Sequence, residues 1–275
     1  MPVEFHKMHG AGNDFVLLDL RRQEFEVNDG VAKSLADRHT GIGCDQLLVL
    51  RESTREDCLV RFEVWNADGS TAEQCGNGVR CISLYLATAG ETPGGPFFIE
   101  GPVNHIGVEV LADGQVRVDM GLPEFEPRKI PFLADARQQW YELEAGGKAV
   151  RIGAVSMGNP HAVMLTDDAD SPEVGRLGPV INRHVKFPRG CNAGFVQIVD
   201  RGEVLLRVFE RGAGETLACG SGACAAVAVL SNAGLVDDQV RVVQKGGVLM
   251  VEWPAKDVPI LKRGPATHLY KGNLL

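Results

Sequence analysis

The chain has 275 residues, 44% apolar and 23% charged, with a formal net charge of −8. That length suits two domains of ordinary size or one large one, able to bury a core without disulfide or metal staples. Acidic and basic residues are interspersed, so no basic stripe fit for nucleic acid stands out. The opening MPVEFHKMHG lacks the pattern of a signal peptide, and no apolar run reaches membrane-spanning length. A cytoplasmic protein that binds neither nucleic acid nor membrane is expected.

Taken in chain order, FVLLDL (15–20) reads as a strand. Residues 28–39 read as a helix capped by Asn28. QLLVLR (46–51) and CLVRFEVW (58–65) read as strands. After a turn, 78–90 is apolar nearly all round and ends at a glycine suited to a C-cap, so a buried helix is expected. Residues 105–120 read as a hairpin around Asp113-Gly114, a favoured tight-turn pair. The proline-rich segment 121–131 reads as a linker. Hairpins follow at 195–210, turning near Arg201-Gly202, and at 239–253, turning at Gly246-Gly247. A second all-round apolar helix, 221–234, lies between them.

These elements repeat. Residues 62–86 align with 206–230 at an offset of 144, placing Val64 on Val208, Trp65 on Phe209, Cys75 on Cys219, Gly76 on Gly220 and Gly78 on Gly222. Upstream, Gly12-Asn13 matches Gly158-Asn159 and Gln46 matches Asn192, both at 146. The expected architecture is α/β (α+β): two pseudo-symmetric domains, residues 1–120 and 121–264, each a mostly antiparallel sheet around a central helix. The active site is expected in the cleft between them. The tail has no counterpart at the end of the first half, so residues 265–275 are expected to pack on the first domain.

The repeated C-G-x-G carries the chemistry. A helix N-terminus presents unpaired N–H groups and about half a positive charge. A cysteine there is expected to have a lowered pKa, and the bare N–H groups can hold a carboxylate. Cys75 and Cys219, one per domain, are thus expected to face each other across the cleft. One as thiolate would remove an α-proton, and the other as thiol would return a proton to the opposite face. The other five cysteines, Cys44, Cys58, Cys81, Cys191 and Cys224, read as small buried hydrophobes. The odd total and the absence of CxxC speak against a disulfide framework or structural zinc.

KMHGAGNDFVLLD (7–19), DRHTGIGCDQLLVL (37–50), NADGSTAEQCGNGVRC (66–81), VSMGNPHAV (155–163), FPRGCNAGFVQ (187–197), ERGAGETLACGSGACAA (210–226) and THLYKG (267–272) together resemble the diaminopimelate epimerase family. The resemblance covers the whole chain. It implies a reaction on diaminopimelate, a small-molecule substrate, with no pyridoxal phosphate or other cofactor and no metal. Carried over by position, Cys75 and Cys219 are the acid/base pair. Gly76-Asn77 and Gly220-Ser221 would bind the reacting carboxylate. Asn13, Gln46, Asn66, Asn159, Asn192, Glu210 and Arg211 would contact substrate. His161 and Glu210 would tune the thiols. A homodimer with Tyr270 as a contact is also implied. The remaining histidines, His6, His9, His39, His105, His184 and His268, read as structural.

Two other readings share the cysteine pair. A racemase of a cyclic amino acid would leave Arg211 and the asparagines poorly explained. A redox protein in which Cys75 and Cys219 form a regulated disulfide has no use for paired amides. A pyridoxal phosphate enzyme is a poor fit, since no lysine sits in a recognisable cofactor motif.

Overall fold

The computed structural model describes residues 2–72 and 75–274, so Glu73 and Gln74 of the segment before Cys75 lie outside it. The chain forms two compact units. One holds the residues up to Asp119 and from Arg263 onward; the other runs Met120–Lys262.

The first unit begins with β1 (Val3–Gly10), β2 (Asn13–Asp19), α1 (Asp29–Ala36), β3 (Gln46–Arg51) and β4 (Cys58–Asn66). It continues with α2 (Gly76–Thr88), β5 (Phe97–Glu100), β6 (His105–Val110) and β7 (Val116–Asp119). The second unit holds β8 (Tyr141–Ala145), β9 (Lys148–Ser156), β10 (Pro160–Leu165), α3 (Glu173–Asn182), β11 (Asn192–Asp200) and β12 (Glu203–Glu210). It goes on to β13 (Gly214–Thr216), α4 (Gly220–Asn232), β14 (Gln239–Gln244) and β15 (Gly247–Glu252). The chain then passes through β16 (Leu261–Gly264) to β17 (Thr267–Leu274).

Strand pairing repeats between the units. In the first, β1–β2 and β3–β4 pair antiparallel while β2–β3 and β4–β5 pair parallel. In the second, β9–β10 and β11–β12 are antiparallel, and β10–β11 and β12–β14 parallel. A parallel link needs a crossover, and each of the four has one helix to make it. Register is preserved too: Phe15 faces Gln46 as His161 faces Asn192, both shifted by 146. Beyond β9, the second unit adds β8 antiparallel. At the matching edge of the first unit, β17 pairs antiparallel with β1.

α2 and α4 are the central helices. In α4 every residue from Gly222 to Leu230 is buried, packed with β9, β10, β11, β12 and β15. Its alanines let the sheet come close. A Cβ on Gly153 of β9 would sit 2.3 Å from Val229 Cγ1. α2 is buried over most of its length but carries Arg80 and Ser83 in the core. Arg80 Nε donates to the Pro265 carbonyl at 3.1 Å, and Ser83 Oγ to the Val79 carbonyl at 2.8 Å.

Three local expectations are corrected. α1 ends at Ala36 rather than residue 39, because Asp37 turns the chain: its carboxylate accepts the N–H groups of His39 and Thr40. Residues 121–131 are no free linker. Glu124 bridges to Ser156 in both directions, and Ile130 is fully buried with Phe132 in the second unit's core. Strands β1, β5, β8, β9, β10, β13, β16 and β17 and helix α3 have no counterpart among the expected elements. α3 contains Gly175, Gly178 and Pro179, poor helix formers, and is held by burying Val174, Leu177, Gly178 and Ile181.

Candidate functional site

Cys75 and Cys219 are the N-caps of α2 and α4. Each sulfur accepts the backbone N–H of the glycine three residues on, Gly78 or Gly222, at 3.3 Å. That contact explains the second glycine of C-G-x-G. A Cβ on Gly78 would lie 2.8 Å from Leu48 Cδ2 and 3.3 Å from Cys75 Sγ. On Gly222 it would lie 2.9 Å from Val208 Cγ2 and 3.2 Å from Cys219 Sγ. Any larger residue would push the thiol off the helix end.

In the first unit, the parallel β2–β3 pair and the β3–β4 hairpin bring three amides to Cys75. Its S–H donates to Gln46 Oε1 at 3.0 Å. Gln46 Nε2 in turn donates to Asn66 Oδ1 at 2.8 Å, and Asn66 Nδ2 to Ser70 Oγ at 3.0 Å. Asn13 Oδ1 stands 4.0 Å from the sulfur and accepts from Asn77 Nδ2 at 3.3 Å. Cys75, Asn13, Gln46, Asn66 and Asn77 therefore form one connected group, with Gly76 at the first turn of the helix.

In the second unit, Ser221 Oγ lies 3.6 Å from Cys219 Sγ. Asn159 Nδ2 donates to that hydroxyl at 3.5 Å, and Asn159 Oδ1 meets His161 Nε2 at 3.0 Å. Asn192 Oδ1 accepts the Arg211 backbone N–H at 2.8 Å, while the Arg211 side chain is exposed and donates to the Arg189 carbonyl at 3.0 Å. Glu210 accepts from Thr216 Oγ1 and lies beside Cys219. Gly220 abuts the wholly buried Lys262, whose Nζ would lie 2.4 Å from a Cβ at that position. Tyr270 is elsewhere, half-exposed on β17 and edge-on to Phe5 at 6.3 Å.

Electrostatics reverse one expectation. Cys219 was expected to have a lowered pKa at its helix end. Instead burial pushes the thiol well above its ordinary range, and the Glu210 carboxylate adds to this. The Ser221 hydroxyl and Gly222 N–H pull the other way without winning. Burial likewise pushes the space-filling Cys44 to about 11 and Cys191 to about 12. His161 is driven down to about 3 by burial, with the Arg211 charge adding. It is therefore neutral, and its Nε2–H donates to Asn159 rather than to the thiol. Gln244 is a further residue at this cap: its Oε1 accepts the Cys219 N–H at 2.8 Å. A glutamine closing a strand before a Lys-Gly-Gly turn gives no signal of that role.

Two outcomes follow from these shifts. Glu210→Gln removes the negative charge beside Cys219, which lowers the thiol pKa and raises its thiolate fraction at pH 8. Alkylation of Cys219 by iodoacetamide, followed by mass spectrometry, is expected to speed up severalfold, by about tenfold per pKa unit; an unchanged or slower rate contradicts the assignment. His161 is protonated in the unfolded chain near its ordinary 6.5 but in the fold only near 3. Its contribution to stability is present above pH 6.5 and lost as pH falls toward 3. With His161→Phe, the acid-side fall in unfolding free energy is expected to flatten by up to about 1.4 kcal/mol per pH unit. Parallel pH curves for the two proteins would contradict this.

Comparison with known proteins identifies the family. The model described as diaminopimelate epimerase matches residues 5–126 and 153–269. A diaminopimelate epimerase from Aromatoleum aromaticum is 47% identical, covering 100% of this chain and 99% of that one. One from Xylella fastidiosa is 48% identical, covering 98% and 96%. Among solved structures, a phenazine biosynthesis protein of the PhzF family from Bacillus anthracis aligns with TM-score 0.71 at 14% identity, covering 100% and 99%. A hydroxyproline epimerase from Agrobacterium vitis aligns at 0.70 and 15%, covering 99% and 91%. At such identities these two show the fold alone, a mixed α/β architecture dominated by sheet. The family model and the full-length relatives go further: the chain belongs to the diaminopimelate epimerase family, whose members are isomerases.

Proposed function

We propose that this chain interconverts LL-2,6-diaminopimelate and meso-diaminopimelate by a two-base mechanism, without a cofactor, in the biosynthesis of lysine and peptidoglycan precursors. The observation that carries the mechanism is the repeated cap: two cysteines 144 residues apart, each bound by the third N–H of a buried helix at 3.3 Å. Inverting a carbon centre by proton transfer requires a base on one face and an acid on the other. One cysteine as thiolate takes the α-proton; the other as thiol delivers a proton to the opposite lobe of the carbanion. In the reverse direction the roles exchange.

The α-proton is only weakly acidic, so the developing negative charge on the carboxylate needs stabilising. The first-turn N–H groups at Gly76-Asn77 and Gly220-Ser221, with their helix dipoles, are suited to that. Asn13, Gln46, Asn66, Asn159 and Asn192 supply donors and acceptors without adding net charge, which fits a substrate with two ammonium and two carboxylate groups. Arg211 can clamp the distal carboxylate as a two-pronged donor, and Glu210 can take an ammonium. The buried, proton-retaining Cys219 fits the acid in the ligand-free state. His161 acts on the thiol's surroundings through Asn159. In the direction in which Cys219 is the base, its burial makes substrate binding itself the step that must help generate the thiolate. In this reading the protein works in the cytoplasm as a homodimer, with Tyr270 at the contact. No helix among the described residues is long and apolar enough to cross a membrane.

The test is turnover of LL-diaminopimelate by reduced protein and by Cys75→Ala and Cys219→Ala, with melting temperatures recorded alongside. Each variant is expected to lose at least about a hundredfold in kcat, the lower range for a positioned acid or base. A folded variant within a few-fold of the unaltered protein would remove that cysteine from the mechanism.

A further inference from the structure

Asn13 and Asn159 occupy equivalent places in the two units, 146 residues apart, at the start of β2 and immediately before β10. Their amides nevertheless point in opposite senses. Asn13 Nδ2 donates to Asp45 Oδ2 at 3.1 Å, which leaves Oδ1 turned toward Cys75 Sγ and Asn77 Nδ2. Asn159 uses its oxygen to accept from His161, which leaves Nδ2 turned toward Ser221 and the Cys219 side.

The groups that set these senses have traded places. At an offset of 146, Asp45 corresponds to Cys191, and Phe15 corresponds to His161. At these two matched positions the first unit has a carboxylate and no imidazole; the second has an imidazole and no carboxylate. An ionised carboxylate only accepts, so it can face only the NH₂ end of an amide. A neutral imidazole N–H donates, so it faces the oxygen end. Cys191 is fully buried, bonded to the Ile181 carbonyl, and offers Asn159 nothing.

Asp45 is also held in place, although its side chain is 45% exposed. Its Oδ1 accepts from Arg38 Nη2 at 2.8 Å, and its Oδ2 accepts the Asp14 N–H at 3.1 Å. Its own N–H donates to Asp14 Oδ1 at 3.0 Å. Asp14 is in turn bound by Arg38 and by the buried Lys7 ammonium. Two anions and two cations thus lock the carboxylate that faces Asn13. An anchor of this kind fixes an amide far better than a free surface aspartate could.

We propose that Asp45 is a positioning residue for the reaction at Cys75: it holds Asn13 with its carbonyl oxygen toward the thiol, while His161 holds Asn159 in the opposite sense. The two caps then differ in kind. The first presents an acceptor, the partner an ammonium or a thiol needs. The second presents a donor, the partner a carboxylate or a thiolate needs. A duplicated scaffold thereby reads one end of a zwitterion differently from the other.

This inference rests on the epimerase reading for its kinetic consequence but not for its geometry, and the test separates the two. Neutron diffraction from perdeuterated protein locates the amide deuterons directly. Deuterons of Asn13 toward Asp45 and of Asn159 toward Ser221 are expected. Deuterons of Asn13 toward Cys75 would overturn the proposal whatever the substrate proves to be. The kinetic arm is a double-mutant cycle of Asp45→Asn and Asn13→Ala, with Asp45→Ala as a second replacement. Asp45→Asn is expected to cost about tenfold in kcat/KM alone and less than about twofold in the Asn13→Ala background, since it acts only through that amide. Independent, multiplying losses would mark Asp45 as merely structural and overturn the proposal. A wild-type protein that leaves diaminopimelate unchanged would sink the functional reading, with the neutron map still deciding the orientation.

Discussion

A thiol at the N-cap of a buried helix is the contact on which the rest of the structure turns. Each sulfur takes the place that a serine or aspartate oxygen usually holds, accepting the N–H of the third helical residue. That single bond dictates glycine at Gly78 and Gly222, because a Cβ there would meet both the sulfur and a core side chain. It also requires that the helix behind the cap be anchored. Burial of α4 from Gly222 to Leu230 does this in the second unit, and the wholly buried Arg80 reaching Pro265 does it in the first. The sheet order, the crossovers and the glycine spacing all serve to bring a sulfur to a helix end in each unit.

Two opposed forces then act on the sulfur. The helix end and its N–H groups favour thiolate; removal from water favours thiol. At Cys219 burial wins, aided by Glu210. A thiolate formed ahead of substrate would be open to alkylation and oxidation, so a cap that stays protonated until a ligand arrives protects the site. In the proposed mechanism binding must supply what the empty site withholds, and the donor face presented by Asn159 and Ser221 would contribute.

Much of this was legible in the sequence because duplication printed it twice. The match of Gln46 to Asn192 survives as identical register in the paired strands, Phe15 facing Gln46 as His161 faces Asn192, and the match of Cys75 to Cys219 as two equivalent helix N-caps. The all-round apolar stretches behind each cysteine became buried helices, and Asp-Gly and Gly-Gly pairs marked hairpin turns. What escaped depends on contacts distant along the chain. α3 violates helix propensity at Gly178 and Pro179, and exists because Phe209 packs where a Cβ on Gly178 would be. The β8–β9 hairpin carries its own signal in Gly146-Gly147, both with positive φ, and was missed in a stretch of alternating charge. Asp45 reads as a solvated acid until parallel pairing of β2 with β3 sets it against Asn13. At Cys219 the lowered thiol pKa expected from the motif fails for a related reason: a motif shows the helix end but not the depth of burial.

The central claim is that two separate thiols handle the two faces of one carbon. The most direct measurement follows deuterium at the α-carbons when LL-diaminopimelate is turned over in D₂O and stopped at low conversion. A thiol awaiting substrate has already exchanged its proton with solvent, so the account predicts one deuterium at the inverted centre of the meso product. Unreacted LL substrate should remain protiated. Product that retains the original proton would mean that a single group removes and returns it, and would contradict the account.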